Sequence, residues 1–191
     1  MPNSINHAIR QTCLGIRSQL LPTFQRTRST KICNNIRTLN QYRYAKHIAL
    51  YHSINGEVDL GNLWRSAPLH GKYCYFPVMN DDLTVSFLPA TPASDFYLNH
   101  YGILEPNTQP DQAISPDKLD IIFAPLVAFD EYGTRVGMGK GFYDRTLANI
   151  RPKLLIGVGY EFQKQPFLEP KSCDVRLDAI TTEKATYWSK L

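Results

Sequence analysis

The stretch from residue 119 to residue 150 limits this chain more than any other. Residues 119–123 (LDIIF) form a short apolar run, dense enough for a strand buried on both faces. Residues 130–141 (DEYGTRVGMGKG) are glycine-rich, and residues 142–150 carry a helical pattern. A buried strand, a glycine loop and a helix in that order build a largely parallel sheet. The flanking segments agree. Residues 47–53 (HIALYHS), 73–78, 84–88 and 153–160 read as strands, and residues 179–180 with 186–188 as short terminal strands. Asn55-Gly56 and Asn80-Asp81-Asp82 supply turns, and residues 59–64 open a helix that ends before Pro68. Residues 91–116, rich in Pro, Asn, Asp and Gln, are expected to be mostly loop, with a short helix over 95–100.

Two helices precede this core. Ile5, Ile9, Cys13, Ile16 and Leu20 recur at steps of three and four, which makes one apolar stripe. That helix should stop near Leu21, because Pro22 disfavours helical geometry in the residue before it. A second pattern runs through Ile32, Ile36 and Leu39, with Ser29 or Thr30 as its cap. Arg and Lys fall off both stripes, as on a solvated face. The predicted fold is therefore α/β, a mainly parallel sheet flanked by helices with an N-terminal helical pair. A length of 191 residues fits a single domain, with residues 1–45 packed as a helical segment on an α/β core of residues 46–191.

Charge is unevenly spread. The net is +4, yet residues 1–56 hold eight basic residues and no acidic one. Such asymmetry points to an anionic partner; nucleic acid, membrane surface, nucleotide and polyanionic metabolite all qualify. With 43% hydrophobic residues the chain can build a core, which excludes disorder for most of it. The most apolar stretch, residues 121–129, is far too short to span a bilayer, and residues 1–10 lack the apolar region of a signal peptide. Cys13, Cys33, Cys74 and Cys173 are scattered with no CxxC pair, which argues against a zinc site or disulfide framework and for reduced, buried thiols in a cytoplasmic protein.

The chemistry concentrates in residues 135–145. Gly137, Gly139 and Gly141 alternate, and residues without Cβ let backbone N–H groups curl around an anion. The helix predicted to follow points its N-terminal dipole at the same place, and Arg135, Lys140 and Arg145 add positive charge. The spacing fits neither the Walker A loop, since Phe142 stands where Ser or Thr is required, nor the Rossmann GxGxxG pattern. A generic anion cradle is as far as spacing reaches; the competing reading is an ordinary glycine turn with solvated cations. Asp144, one turn into the helix, suits Mg²⁺ held between carboxylate and phosphate oxygens, or equally a helix-dipole acid. Asp174 and Asp178 read as loop surface charges.

These residues carry a resemblance. The segment APLVAFDEYGTRVGMGKGFYDRTLA resembles the signature of the 5-formyltetrahydrofolate cyclo-ligases, matching at Pro125, Phe129, Asp130, Gly133, Arg135, Gly137, Gly139, Lys140, Gly141, Tyr143 and Asp144. Weaker matches run collinearly along the chain: Arg10, Tyr51-His52-Ser53 with Glu57, Gly71-Lys72, Pro77, Glu105-Pro106 and residues 174–182. The resemblance implies ATP-dependent ring closure of 5-formyltetrahydrofolate to 5,10-methenyltetrahydrofolate, with ADP and phosphate released. It implies that Arg10, Arg135, Gly137, Met138, Gly139, Lys140, Gly141, Phe142 and Tyr143 surround ATP, with Lys140, Arg135 and Tyr143 catalytic. It implies that Asp144 and Asp174 hold Mg²⁺, and that His52, Glu57, Met138 and Phe142 contact the folate. His52 departs from an apolar residue usual there, and Asn6 stands where many members carry Lys, so that one phosphate contact is either lost or supplied by His7. Folate and ATP are then the partners of a monomer that binds neither nucleic acid nor membrane.

Two other readings compete. The basic residues 1–56 could serve a nucleic-acid module, but only Phe24 is aromatic in residues 1–41, which leaves no stacking platform. A nucleotide-binding regulator of similar fold without ligase chemistry is the closer alternative. Without the resemblance, Arg10 reads as one more solvated arginine, Glu57 as a helix cap, and His52 as a core or strand-edge histidine. Phe142 and Tyr143 are adjacent on a helix, so one of them is expected to face the core.

Overall fold

In this computed structural model, which describes residues 5–190, the apolar runs assemble as one sheet. Its strands are β1 (His47–Ala49), β2 (Tyr73–Met79), β3 (Val85–Ala90), β6 (Ile121–Pro125), β9 (Leu154–Val158), β10 (Ala179–Thr181) and β11 (Thr186–Trp188), in the order β11-β10-β9-β6-β1-β2-β3. The five inner strands run parallel, and β3 and β11 close the edges antiparallel. Central β6 is buried on both faces, as its composition requires. Ile121 and Phe123 point into one core, with α2 (Pro22–Thr38) and α3 (Asn40–Tyr44) above them. Ile122 and Ala124 point into the other, which Phe142 and Leu147 of α5 (Phe142–Leu147) help to close. The α/β class and the helical N-terminal pair agree with the sequence.

The paired helices differ in detail from the apolar-stripe reading. In α1 (Ile5–Ser18), Ile5 is 71% and Ile16 44% exposed, and the buried residues are Asn6, Cys13 and Arg17. α1 faces a two-stranded ribbon, β7 (Ala128–Phe129) and β8 (Arg135–Val136), through a small separate core of Cys13, Val127, Ala128, Val136 and Leu168. The stripe holds in part: Cys13 is buried and Ile9 and Leu20 pack against cores, while Asn6 and Arg17 share the buried face and Ile5 and Ile16 turn outward. Pro22 opens α2 at its first turn, where a missing N–H is harmless. Ser29 sits inside α2, not at its cap, and its hydroxyl accepts the Asp59 N–H at 3.0 Å. The expectation that residues 1–10 hold no signal peptide falls partly outside the described residues.

Residues 95–100 are not helical. Phe96–Leu98 (β4) pairs antiparallel with Leu104–Pro106 (β5), because Asn99 and Gly102 supply a turn: the Asn99 side chain accepts the N–H groups of Tyr101 and Ile103, and Gly102 has φ +73°. The buried Glu105 carboxylate ties this hairpin to the sheet, accepting from Met79 N–H at 2.8 Å, Asn99 at 2.7 Å and the Tyr97 hydroxyl at 3.0 Å. Lys72 is likewise structural. Its ammonium donates to the carbonyls of Tyr42 at 2.6 Å and Ala45 at 2.7 Å, closing the exposed end of α3. The helix predicted over residues 59–64 is α4 (Gly61–Ser66).

Candidate active site

The glycine loop stands on the β7–β8 ribbon. Fully buried Asp130 shapes its turn, accepting the N–H groups of Tyr132 at 3.0 Å and Thr134 at 2.9 Å with one oxygen and that of Leu168 at 2.9 Å with the other. Gly133 has φ +80°, and a Cβ there would lie 2.4 Å from the Leu177 carbonyl oxygen. The chain then leaves β8 as a loop over residues 137–141. Gly139 and Gly141 take φ +100° and +71°, which side chains resist. Gly137 has open space where a Cβ would stand. The helix after the loop has six residues, shorter than the sequence suggested, so backbone N–H groups and side-chain cations carry the anion-binding potential more than a macrodipole does.

The residues that the family resemblance assigns to ATP, folate and Mg²⁺ all line one cleft of about 720 Å³: Arg10, His52, Glu57, Arg135, Gly137, Met138, Gly139, Lys140, Gly141, Phe142, Tyr143, Asp144 and Asp174. That volume suits a small-molecule site. The Arg10 Nε–H donates to the Gly137 carbonyl at 2.8 Å, so α1 and the loop are joined across the cleft. The Arg145 guanidinium donates to the Lys140 carbonyl and, at 3.0 Å, to that of Leu83. Lys140 makes no ion pair among the described residues; its ammonium lies 5.9 Å from the centre of the Tyr101 ring. Tyr101 packs edge-on against Phe142 at 5.8 Å. Phe142 is the more buried of the adjacent aromatics, yet both it and Tyr143 reach the cleft wall.

Arg135 is largely committed to the protein. Its Nη2 donates to Asp144 Oδ1 at 2.6 Å and its Nη1 to the Val175 carbonyl at 2.5 Å, while the Val175 N–H donates to the same Asp144 oxygen at 3.1 Å. Asp174 precedes Val175, and its Oδ2 accepts the Lys171 N–H at 2.9 Å. Each aspartate therefore keeps one oxygen outside these bonds, and both line the same wall. Among the described residues no group of three or more His, Cys, Asp and Glu side chains could chelate a metal. Two carboxylates with phosphate oxygens and water are nevertheless the donor set Mg²⁺ favours, so the residues present fit that ion beside a nucleotide.

The other wall is apolar with isolated polar groups. The His52 ring stacks on Phe76 at 4.5 Å and meets Phe96 and Trp64 edge-on at 4.7 and 5.5 Å. Burial pushes its imidazole below the usual histidine value, so the ring is neutral at physiological pH. Glu57 is 7% exposed, and burial raises its carboxyl to about 7 against the opposing charge of Arg17. The Tyr143 hydroxyl is buried without a partner, and burial, followed by the Glu57 charge, raises it well above the ordinary phenol. Asn6 reaches the cleft and donates to the Glu169 carbonyl at 2.7 Å, whereas His7 is exposed and absent from the lining. The extra cation on that side is Lys171.

The sequence model of the 5-formyltetrahydrofolate cyclo-ligase family matches residues 3–183. The chain belongs to this family. A cyclo-ligase of Haemophilus influenzae is 38% identical over 162 residues, covering 82% of this chain and 85% of the relative. That of Escherichia coli K12 is 34% identical over 174 residues, covering 87% and 93%. The solved 5,10-methenyltetrahydrofolate synthetase of Aquifex aeolicus superposes with a TM-score of 0.86 at 32% identity, covering 98% of this chain and 94% of that one. Within the cyclo-ligase fold, two residues at or behind the cleft depart from the sequence expectation. Arg17, expected on a solvated helix face, is only 1% exposed. Cys173, expected to be a buried thiol, is exposed on the cleft wall. Arg17 had a faint signal, since its step of seven from Arg10 puts both on one helical face.

Proposed function

We propose that the protein closes 5-formyltetrahydrofolate to 5,10-methenyltetrahydrofolate with MgATP. The observation that carries this reading is the convergence of the glycine loop, the Asp144–Asp174 pair and the Glu57 wall on one cleft. The relatives named as cyclo-ligases and synthetases bring the substrate class to it. The formyl oxygen attacks the γ-phosphorus, the bond to the β-phosphate bridging oxygen breaks, and ADP leaves. The 10-nitrogen lone pair then attacks the activated carbon. That nitrogen loses its proton and phosphate departs with the former formyl oxygen, leaving the methenyl bridge. The protein needs no nucleophile for this; it must position two substrates and neutralise charge.

In this reading Lys140 is the point charge on the transferred phosphoryl group. Arg10, the backbone of residues 137–141 and the flank of Phe142 surround the ATP phosphates. Arg135 acts mainly by holding Asp144, which with Asp174 takes the Mg²⁺; that ion supplies charge neutralisation on the phosphates. Glu57, His52, Met138 and Phe142 form the folate wall. Tyr143 keeps its proton and offers a free hydroxyl to the reacting centre. The test is a near-ultraviolet absorbance assay with purified protein. Methenyl absorbance should rise only when 5-formyltetrahydrofolate, ATP and Mg²⁺ are all present, and no rise with the complete mixture would sink the proposal.

A further inference from the structure

Arg17 is a deeply buried charge behind the cleft wall, against Glu57 and Met138, which line it. Its side chain is 1% exposed, and it emerges from α1 on the face that covers the β7–β8 ribbon. Its Nε donates to the Asn55 carbonyl at 2.9 Å and its Nη1 to the Leu126 carbonyl at 3.1 Å. Its Nη2 lies 3.7 Å from the Met138 sulfur and 3.7 Å from Glu57 Oε1. One guanidinium thus touches the turn before Glu57, the segment after β6, the glycine loop and the Glu57 carboxylate. A buried arginine with only carbonyl partners would be an expensive way to join loops, because an ion without a counter-charge is costly to bury. Among the described residues, the one carboxylate in its reach is the one that lines the folate wall.

We propose that Arg17 is a positioning residue for ligand binding: it holds Glu57 as an anionic acceptor aimed into the cleft and locks that setting to the glycine loop through Met138. This rests on the reading that Glu57 contacts the folate. Among the described residues, Arg17 is alone in this task. The groups facing Glu57 from the other packed elements are the Tyr51 hydroxyl after β1, the Tyr143 hydroxyl of α5 and the Tyr160 hydroxyl, which donates to the Glu57 backbone carbonyl at 3.3 Å. All three phenols are raised by burial, so they remain neutral and supply no positive charge. The Ile54 N–H adds one hydrogen bond to Oε2 at 3.2 Å. With Arg17 present the Glu57 carboxyl already stands at about 7. Without it, burial is opposed only by that single bond, so the carboxyl moves further up and is protonated across neutral pH.

The experiment compares the whole protein with Arg17→Leu, Arg17→Lys and Glu57→Gln, measuring kcat and both KM values from pH 6 to 9. In the parent, folate KM should rise as pH falls through the Glu57 midpoint. Arg17→Leu should move that midpoint alkaline and raise folate KM about tenfold at pH 7.5, with the KM for MgATP within about twofold. Arg17→Lys, which keeps a charge but not the fork of donors, should move the midpoint less and keep the proposal testable if the leucine variant folds poorly. Glu57→Gln should abolish the pH dependence. An unshifted midpoint in both Arg17 variants, or equal losses for both substrates, overturns the proposal while leaving Glu57 in place. An unchanged folate KM in Glu57→Gln overturns the Glu57 reading itself.

Discussion

At the scale of single residues, the cleft separates charges held by the protein from charges left for a ligand. Arg135 and Arg145 are bonded to protein oxygens, and Lys140 has no ionic partner among the described residues. Lys140→Ala should therefore lower kcat by about 100-fold or more while changing folate KM less than about threefold, because a charge on the transferred phosphoryl group acts mostly in the transition state. Steady-state kinetics with each substrate varied decides it, and small, equal losses in kcat and folate affinity would refute the assignment. Glu57 yields a stability prediction of opposite sense to its function. Its folded carboxyl is raised from 4.5 to about 7, so the folded state holds the proton more tightly than the unfolded chain. That term stabilises below pH 4.5 and is lost as pH rises to 7, by up to ~3 kcal/mol. Glu57→Gln should match the parent in melting temperature near pH 4.5 and exceed it at pH 8, and a difference that does not widen with pH would contradict the burial argument. Lys140 and Glu57 were legible in the sequence because each stands in a family pattern. Arg17 was not, since its chemistry depends on Leu126 and Met138, both more than 100 residues away in the chain.

At the scale of elements, local propensity explains where the sequence could be read. The strands β2, β6 and β9 announced themselves by apolar runs, and their pairing follows from burial on two faces. The β4–β5 hairpin did not, because its strands have three residues each and Tyr97 and Leu98 point outward. What decides that hairpin is the Glu105 carboxylate reaching Met79, a tertiary bond that no local pattern reports. The glycine loop was legible as a ligand loop, but its glycines do different work. A Cβ at Gly133 would meet the Leu177 carbonyl at 2.4 Å and the Ser189 hydroxyl at 2.7 Å at a positive φ. Gly133→Ala should therefore lose about 2–3 kcal/mol of stability. A Cβ at Gly137 meets nothing within 4 Å, and that residue has no positive φ. Gly137→Ala should keep the parent melting temperature within about 2 °C and raise the KM for MgATP, because its methyl group enters the space a phosphate would occupy. Reversed outcomes in a paired thermal melt and kinetic series would show that the loop, and not the ribbon turn, carries the fold.

At the scale of the whole molecule, the charge asymmetry acquires a location. The all-basic residues 1–56 place only Arg10 and Arg17 at or behind the cleft; the acidic remainder contributes Asp144 and Asp174 on the facing wall. The lining carries Arg10, Arg135, Lys140, Arg145 and Lys171 against Glu57, Asp144 and Asp174, an excess of positive charge that only an anion balances. Because α1 and the glycine loop meet through the Arg10–Gly137 bond, a nucleotide bound between them should stabilise both walls together. At about 100 times its dissociation constant a ligand adds ~2.7 kcal/mol, which for a chain of this size raises the melting temperature by roughly 5–10 °C. The shift should need the metal. With ATP and excess chelator the two aspartates face the phosphates unscreened, so binding weakens by their repulsion and most of the shift disappears. Asp144→Asn and Asp174→Asn should show the reverse bias, a smaller shift with MgATP and a larger one with metal-free ATP than the parent. Asp144→Asn should also unfold more easily, since it leaves the Arg135 guanidinium, 6% exposed, without its counter-charge; Asp174→Asn carries no such penalty and is the cleaner test. An Asp174→Asn protein whose melting temperature responds to ATP and MgATP as the parent does would remove that residue from the metal site.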